Sequence, residues 1–150
     1  MNTSAQPLNE QMRQCPICET QLRVDSFQTG EVACSGCGHV IWYQKRTIDG
    51  ISILDAVSGI VSINMDIERV SKSLLSGIDK ARVILNLSRL KFISSAFVAG
   101  MIALQKRVRA AGGRLILCGM HPIVRETLHG ARLDTFFEIC ENEQDALDSL

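Results

Sequence analysis

Two CxxC pairs near the N-terminus constrain this chain more than any other feature. Cys15 and Cys18 form the first pair, and Cys34 and Cys37 form the second, with fifteen residues between the pairs. This spacing is typical of a zinc ribbon, in which each pair turns tightly and presents two thiolates to one ion. Four cysteines complete a tetrahedral shell, so we predict a structural zinc and not a catalytic one. A redox pair or two disulfides are the alternatives, and His39 is close enough in sequence to replace a ligand.

The predicted ribbon covers residues 13–46 and has few apolar side chains of its own. We expect residues 21–27 and 32–33 to form a short hairpin between the cysteine pairs. Because so little core is available, the free energy of zinc binding would also be the free energy of folding for this module. Trp42 and Tyr43 follow the second pair. We expect them to cover the core of the module or its joint with the next domain, although stacking on a base or a peptide is an alternative.

The composition fits one globular domain with a small appendage. The chain has 150 residues, of which 46% are hydrophobic and 21% charged, and its formal net charge is zero. Residues 1–12 are polar and are predicted to be a flexible N-terminus without a signal peptide. The longest uncharged stretch, residues 92–105, is too short for a bilayer crossing, which takes about 20 apolar residues. We therefore expect a cytoplasmic protein that does not bind a membrane.

Residues 47–150 alternate between strand-like and helix-like patterns. Strands are predicted at 51–54, 57–63, 82–87, 115–118 and 136–139. Helices are predicted to begin after Asn64, after Ser94–Ser95, at Pro122 and at Asn142. This order implies a mostly parallel sheet with right-handed crossovers. The predicted fold class is therefore α/β, a mixed sheet with helices, preceded by the small zinc ribbon.

Three stretches of the second domain carry a resemblance to a known family. They read VILNLSRLKFISSA from Val83, RAAGGRLILCG from Arg109, and PIVRETLHGARLDTFFEICENEQDAL from Pro122. In these stretches the chain resembles the STAS domain of anti-sigma-factor antagonists. The resemblance implies a STAS-like fold for residues 47–150. It also implies a non-enzymatic adaptor whose protein partner is a serine kinase or an anti-sigma factor.

The same resemblance implies a phosphorylation site. In the family, the segment after the buried strand reads Asp-Ser-Ser-Gly, and the partner kinase phosphorylates the first serine. By this correspondence Ser95 is the phosphoacceptor, with Ser94 as the alternative, and the partner-binding residues are Lys91, Ser94, Ser95, Ala96 and Phe97. Ser94 stands where the family has Asp, and Ala96 and Phe97 stand where it has Ser and Gly. A STAS scaffold that is not phosphorylated is therefore an alternative.

Elementary physics supports the phosphorylation site independently of the resemblance. A phosphate adds about −1.5 to −2 charges, and the N-terminus of a helix provides N–H groups and a dipole that favour an anion. A partner packed against the unmodified loop would meet a bulky dianion after phosphorylation, so binding should be lost. The simpler alternative is that Ser94 or Ser95 only caps the helix.

Charge is distributed unevenly along the chain. Residues 80–125 contain nine basic residues and no acidic one, whereas residues 126–150 contain seven acidic residues and a single basic one, Arg132. This polarity could steer an acidic partner, or the charges could only solvate helix faces. A nucleic-acid-associated transcription regulator is a further alternative. We do not favour it, because residues 1–46 carry four basic and four acidic residues and thus no phosphate-binding stripe.

No arrangement of residues predicts catalysis. Ser95 lies outside any GxSxG motif, and His39, His121 and His129 are scattered along the chain. No histidine is thus an evident base for Ser95. We predict that the protein is not an enzyme.

Overall fold

The computed structural model describes residues 12–23, 32–59 and 65–150. The elements in chain order are β1 (Met12–Gln14), β2 (Gln21–Arg23), β3 (Val32–Ala33), β4 (Val40–Ile41), β5 (Tyr43–Ile48), β6 (Ile51–Ala56), α1 (Ile67–Leu75), β7 (Arg82–Asn86), α2 (Ser95–Ala110), β8 (Arg114–Cys118), α3 (Pro122–Gly130), β9 (Glu138–Cys140) and α4 (Glu143–Ser149). Among these residues the strands form two small hairpins, β1–β2 and β3–β4, and one five-stranded sheet.

The five-stranded sheet confirms the predicted mixed α/β fold. Its strands lie in the order β5-β6-β7-β8-β9, with β5 antiparallel to β6 and all other pairs parallel. Asp49 and Gly50 connect β5 to β6, and both have positive φ, 51° and 79°. A two-residue hairpin turn needs this conformation, which Gly and Asp tolerate better than most residues. The following strands are parallel because a helix returns the chain between them.

Alternating residues of β7 enter two separate hydrophobic clusters. Val83 and Leu85 pack in the cluster that includes residues of α1, α2 and α3, whereas Ile84 packs in the cluster that includes Ala146 of α4. All three β7 side chains are fully buried. A strand covered on both faces reads as a continuous apolar run, which is why RVILNL was recognisable in the sequence.

The structure corrects the predicted pairing within the N-terminal region. Residues 21–27 do not form a hairpin with residues 32–33 in the described part. Instead β1 pairs with β2 and β3 pairs with β4, so each CxxC turn lies inside its own hairpin. The tight turn that brings two cysteines together also brings its flanking residues into register. Residues 24–31 lie outside the described residues.

The region after β5 also differs from the prediction. One strand, β6, continues through Asp55 and Ala56, where we expected a break between two strands. Residues 57–59 are not part of a strand, and residues 60–63 lie outside the described residues, as does the predicted cap Asn64. Asp66 occupies the N-cap position of α1 in a left-handed conformation with φ 57°.

Strand β5 crosses the predicted boundary between residues 46 and 47. It starts at Tyr43 and pairs with β6 along its whole length, so residues 43–46 belong to the sheet. Only Trp42 separates β4 from β5.

We call the described residues 12–23 and 32–41 the cysteine module. No helix in the described part of the chain is long and apolar enough to span a bilayer.

Candidate phosphoacceptor turn and four-cysteine site

The turn before α2 presents Ser95 at the surface. Ser94 is the N-cap, and its Oγ accepts a hydrogen bond of 3.1 Å from the Phe97 N–H. Ser95 is the first residue of the helix and its side chain is exposed. The N–H groups of Ser95 and Ala96 have no acceptor among the described residues, and the first turn of α2 contains no acidic residue. This end of α2 can therefore accept a negative charge.

Backbone contacts hold the turn in place. The Ser94 N–H donates a hydrogen bond of 2.8 Å to the carbonyl of Gly59, which lies in the segment after β6. Gly59 is needed at this point because a Cβ atom there would collide with the Phe92 carbonyl oxygen. Earlier in the loop, the Asn86 Oδ1 accepts a hydrogen bond of 2.9 Å from the Ser88 N–H. Hydrogen bonds at Ser88 and Ser94 thus fix the loop that leads to Ser95.

The predicted partner-binding residues do not all lie at the surface. Lys91 and Ala96 are exposed, but the Phe97 side chain is completely buried. Phe97 therefore supports the turn from below and does not present its ring to a partner. Sequence reasoning missed Phe92, whose side chain is 60% exposed. Its position in the loop gave no clear signal, because Leu87 and Leu90, which also lie between β7 and the cap of α2, are buried.

The second site gathers the four cysteines of the CxxC pairs. One Sγ atom from each of Cys15, Cys18, Cys34 and Cys37 lies within 4.8 Å of the others. The Cys15–Cys37 and Cys18–Cys34 sulfur distances are 3.7 and 3.5 Å. Ligands with bonds of about 2.3 Å to a central zinc are about 3.8 Å apart in a tetrahedron, whereas disulfide sulfurs are about 2.05 Å apart. The spacing is therefore compatible with metal binding.

The surroundings of the sulfurs also suit a metal site. Backbone N–H groups of Ile17 and Gly36 donate to the sulfurs of Cys15 and Cys34 at 3.4 and 3.2 Å. The Cys18 sulfur lies 3.1 Å from the Thr20 hydroxyl, which lowers the pKa of Cys18 to about 6. Burial raises the pKa of Cys15 to about 12. An ion bound by all four thiolates would have to displace the Cys15 proton, so binding should be pH-dependent.

His39 is not one of the clustered ligands, although its carbonyl accepts a hydrogen bond of 2.8 Å from the Cys34 N–H. It is fully buried, and its Nδ1 lies 3.4 Å from a carboxylate oxygen of Asp66. Burial, opposed in part by that carboxylate, lowers the pKa of His39. Its Nε2 has no partner among the described residues. His39 thus contacts Asp66, the N-cap residue of α1.

Four of the nine basic residues of the stretch 80–125 make contacts within the protein. Arg82 donates to the Asp49 carbonyl at 2.8 Å, and Arg109 donates to the Phe136 carbonyl at 3.0 Å. Other basic residues pair with acidic residues of the C-terminal part, namely Arg114 with Glu138 and Arg125 with Glu141. These contacts reduce the basic surface that could bind phosphates. They favour solvation and structural roles for many of the charges.

The histidines have structural contacts. His121 caps α3, with its Nδ1 accepting from the Ile123 N–H at 3.2 Å. His129 pairs with Asp134 at 2.9 Å, and that contact raises the pKa of His129. Neither contact provides a base for Ser95.

The five-stranded sheet and its helices match a known family. The model of the STAS domain matches residues 43–146. The chain belongs to the STAS domain family. The match begins at the first residue of β5 and leaves the cysteine module outside.

Relatives of this STAS domain agree with that assignment. BtrV of Bordetella bronchiseptica, named as an anti-sigma factor antagonist, is 31% identical over 106 residues, which are 68% of this chain and 90% of BtrV. A Thermotoga maritima crystal structure with the same description has a TM-score of 0.58 at 18% identity and covers 71% of this chain and 92% of its own. A Planctomyces limnophilus STAS domain protein has a TM-score of 0.59 at 18% identity, with coverages of 71% and 96%. The similarity to BtrV places the chain in the anti-sigma-factor antagonist type of the family. The two structures show the fold.

Proposed function

We propose that this STAS protein is a non-enzymatic regulatory adaptor that is switched by phosphorylation of Ser95. Its partner would be a serine kinase or an anti-sigma factor, and it would act in the cytoplasm. The observation that supports this most directly is the division between two adjacent serines. Ser94 caps α2, whereas Ser95 is exposed at the first helical position and is not needed for the cap. Phosphorylation of Ser95 would therefore leave the helix intact.

The surface around Ser95 suggests the chemistry of the partner. Lys91, Phe92, Ser95 and Ala96 are exposed on or beside the turn, and Phe97 lies beneath it. A partner with an apolar pocket for Phe92 and acidic residues near Lys91 would fit this surface. A phosphate on Ser95 would place a dianion opposite those acidic residues. Repulsion and the cost of desolvating the phosphate would then release the partner.

We further propose that the cysteine module is a zinc ribbon with one structural zinc ion. Cys15, Cys18, Cys34 and Cys37 would hold the ion, which would supply the fold of the module and no reaction chemistry. The predicted N-terminal segment 1–12 lies outside the described residues except for Met12, which begins β1. We propose Tyr43, the first residue of β5, as the start of the STAS domain in place of residue 47, with the ribbon before it.

Phosphate mapping tests the switch. The full chain would be incubated with a kinase recovered from its native host, and phosphopeptides would be mapped by mass spectrometry. We expect phosphate on Ser95 in the wild type and none in Ser95→Ala. The matched control is Ser149→Ala, which removes an exposed serine on α4 and should leave labelling unchanged. Label that persists in both Ser94→Ala and Ser95→Ala would exclude this turn as the switch.

A further inference from the structure

Trp42 joins the cysteine module to the STAS domain. It is the single residue between β4 and β5, and its side chain is fully buried. The module itself consists of two hairpins with strands of two or three residues, around a small cluster that includes two of the cysteines. A module with so small a core depends on its metal for folding. Trp42 therefore lies where a metal-dependent element meets a stable one.

The backbone of Trp42 is connected to the phosphoacceptor turn. Its carbonyl accepts hydrogen bonds of 2.8 Å from the Val57 N–H and 3.4 Å from the Ser58 N–H. Gly59, the next residue, accepts the hydrogen bond from the Ser94 N–H. Backbone hydrogen bonds on either side of residues 57–59 thus connect Trp42, at the end of the module, to Ser94, which caps α2.

The indole of Trp42 reaches the same helix by another route. Its ring meets the Phe97 ring edge to face, with centroids 5.6 Å apart, and the Phe97 N–H is the group that Ser94 caps. The indole Nε1 also donates a hydrogen bond of 3.0 Å to the Met65 carbonyl. The Met65 side chain packs directly on Gly100 of α2, where a Cβ atom could be added only if Met65 moved. Trp42 therefore contacts the first turn of α2 and supports the second through Met65.

A polar contact connects the second CxxC pair to the start of α1. Arg69 donates to the Cys37 carbonyl at 3.1 Å and to a carboxylate oxygen of Asp66 at 2.8 Å. The buried His39, two residues after Cys37, lies against the same carboxylate. Asp66 adjoins Met65. The second CxxC pair is thus connected to Met65 through Asp66, and Trp42 is hydrogen-bonded to the carbonyl of the same residue.

We propose that metal binding at the four cysteines and the stability of the Ser94–Ser95 turn are energetically coupled, with Trp42 as the positioning residue. The two-state element is the cysteine module, which is folded with metal and unfolded without it. When the module folds, it fixes Trp42 and, through Gly59, Phe97 and Met65, the start of α2. The inference rests on the proposed zinc site and extends the proposed role of Ser95. Linkage requires the effect to be reciprocal, so loosening the turn should weaken metal binding.

Hydrogen exchange of the full chain tests the coupling. Amide exchange would be followed by mass spectrometry with zinc bound and after removal of zinc by a chelator. We expect exchange in residues 94–101 to become about 5- to 150-fold faster without zinc, the range of ordinary coupling energies. Residues 143–149 of α4, on the other face of the sheet, should be unchanged. In Trp42→Phe, which keeps a ring but loses the indole N–H, the response at 94–101 should shrink while zinc still binds.

A second measurement uses the reciprocal effect. Ser94→Ala removes the cap and should weaken zinc binding, measured by competition with a chromophoric chelator, whereas Ser149→Ala should not. If zinc binds and residues 94–101 exchange equally fast with and without it, the coupling is wrong and the zinc site stands. If the chain binds no zinc, the proposed zinc site and the proposed coupling are both wrong. Absence of phosphate from Ser95 would overturn the switch alone, because neither measurement depends on phosphorylation.

Discussion

The Ser94 hydroxyl oxygen accepts a hydrogen bond from the Phe97 N–H at 3.1 Å and thereby caps α2 one residue before the exposed Ser95. The two serines therefore differ in role although they are adjacent. Ser94 satisfies a backbone donor that the helix itself leaves unpaired. Ser95 has a side chain that can be changed without removing this hydrogen bond.

This division predicts different stabilities for two alanine variants. Ser94→Ala should lower the free energy of unfolding by about 1 kcal/mol because the cap is lost. Ser95→Ala should change it by less than about 0.5 kcal/mol, as expected for an exposed residue. Urea denaturation of zinc-loaded protein measures both. Equal losses in the two variants would show that Ser95 also caps the helix.

The metal content should depend on four of the six cysteines. Cys37→Ser should lose bound zinc, because three thiolates with a hydroxyl in place of the fourth form a poorer tetrahedral site. Cys140→Ser, at the end of β9 and outside the clustered sulfurs, should retain one zinc per chain. Elemental analysis of the purified proteins gives the ratio. A wild type without zinc would contradict the proposed ribbon.

A surface substitution tests the docking role of Phe92. Phe92→Ala should weaken binding of the partner at least tenfold, because a buried aromatic anchor typically contributes 2 kcal/mol or more. Ile78→Ala is the matched control, since Ile78 is also an exposed apolar residue, with 49% of its surface accessible, but follows α1. Affinity would be measured by titration with the recovered kinase or anti-sigma factor. A similar loss in both variants would argue against a specific pocket for Phe92.

Cys118 should be inert towards alkylation in the folded protein. It is fully buried in β8, and burial raises the pKa of its thiol to about 12, so the reactive thiolate is scarce at neutral pH. Iodoacetamide treatment followed by peptide mapping should leave Cys118 unmodified until denaturant is added. Rapid labelling under native conditions would mean that β8 opens readily.

The pair of His129 and Asp134 predicts a measurable titration. The hydrogen bond and charge of Asp134 raise the pKa of His129 above its ordinary value of 6.5. The stabilisation by this pair is therefore fully present below about pH 6.5 and is lost as the pH rises through the raised value. NMR titration should show the higher pKa in the wild type and a value nearer 6.5 in Asp134→Asn. An unchanged pKa in that variant would show that the contact is absent in solution.

The sequence predicted the elements whose local signals agree with their surroundings. The apolar run of β7 follows from burial, and a serine cap before α2 follows from helix-end chemistry. Both are found, and the structure decides between the two serines in favour of Ser94. The cysteine spacing likewise predicted a four-sulfur cluster. The hairpin partners of β2 and β3 could not be predicted, because strands of two or three residues carry too little periodicity to specify a partner.

Contacts between distant segments were also beyond sequence reasoning. Nothing in the composition places Trp42 against Phe97, or His39 beside Asp66, because those pairs depend on how the module packs against the sheet. The burial of Phe97 and the exposure of Phe92 have the same origin. Both phenylalanines are close to the turn in sequence, and only the tertiary structure decides which of them meets solvent.

The order of the strands bears on how the protein folds as it is made. In the five-stranded sheet every strand after β5 pairs with the strand that precedes it along the chain. The polypeptide leaves the ribosome from its N-terminus, so each of these strands is synthesised directly after the strand with which it pairs. The sheet can therefore grow one strand at a time during synthesis, from β5 and β6 onwards. This order shortens the time during which an unpaired strand edge could meet another nascent chain.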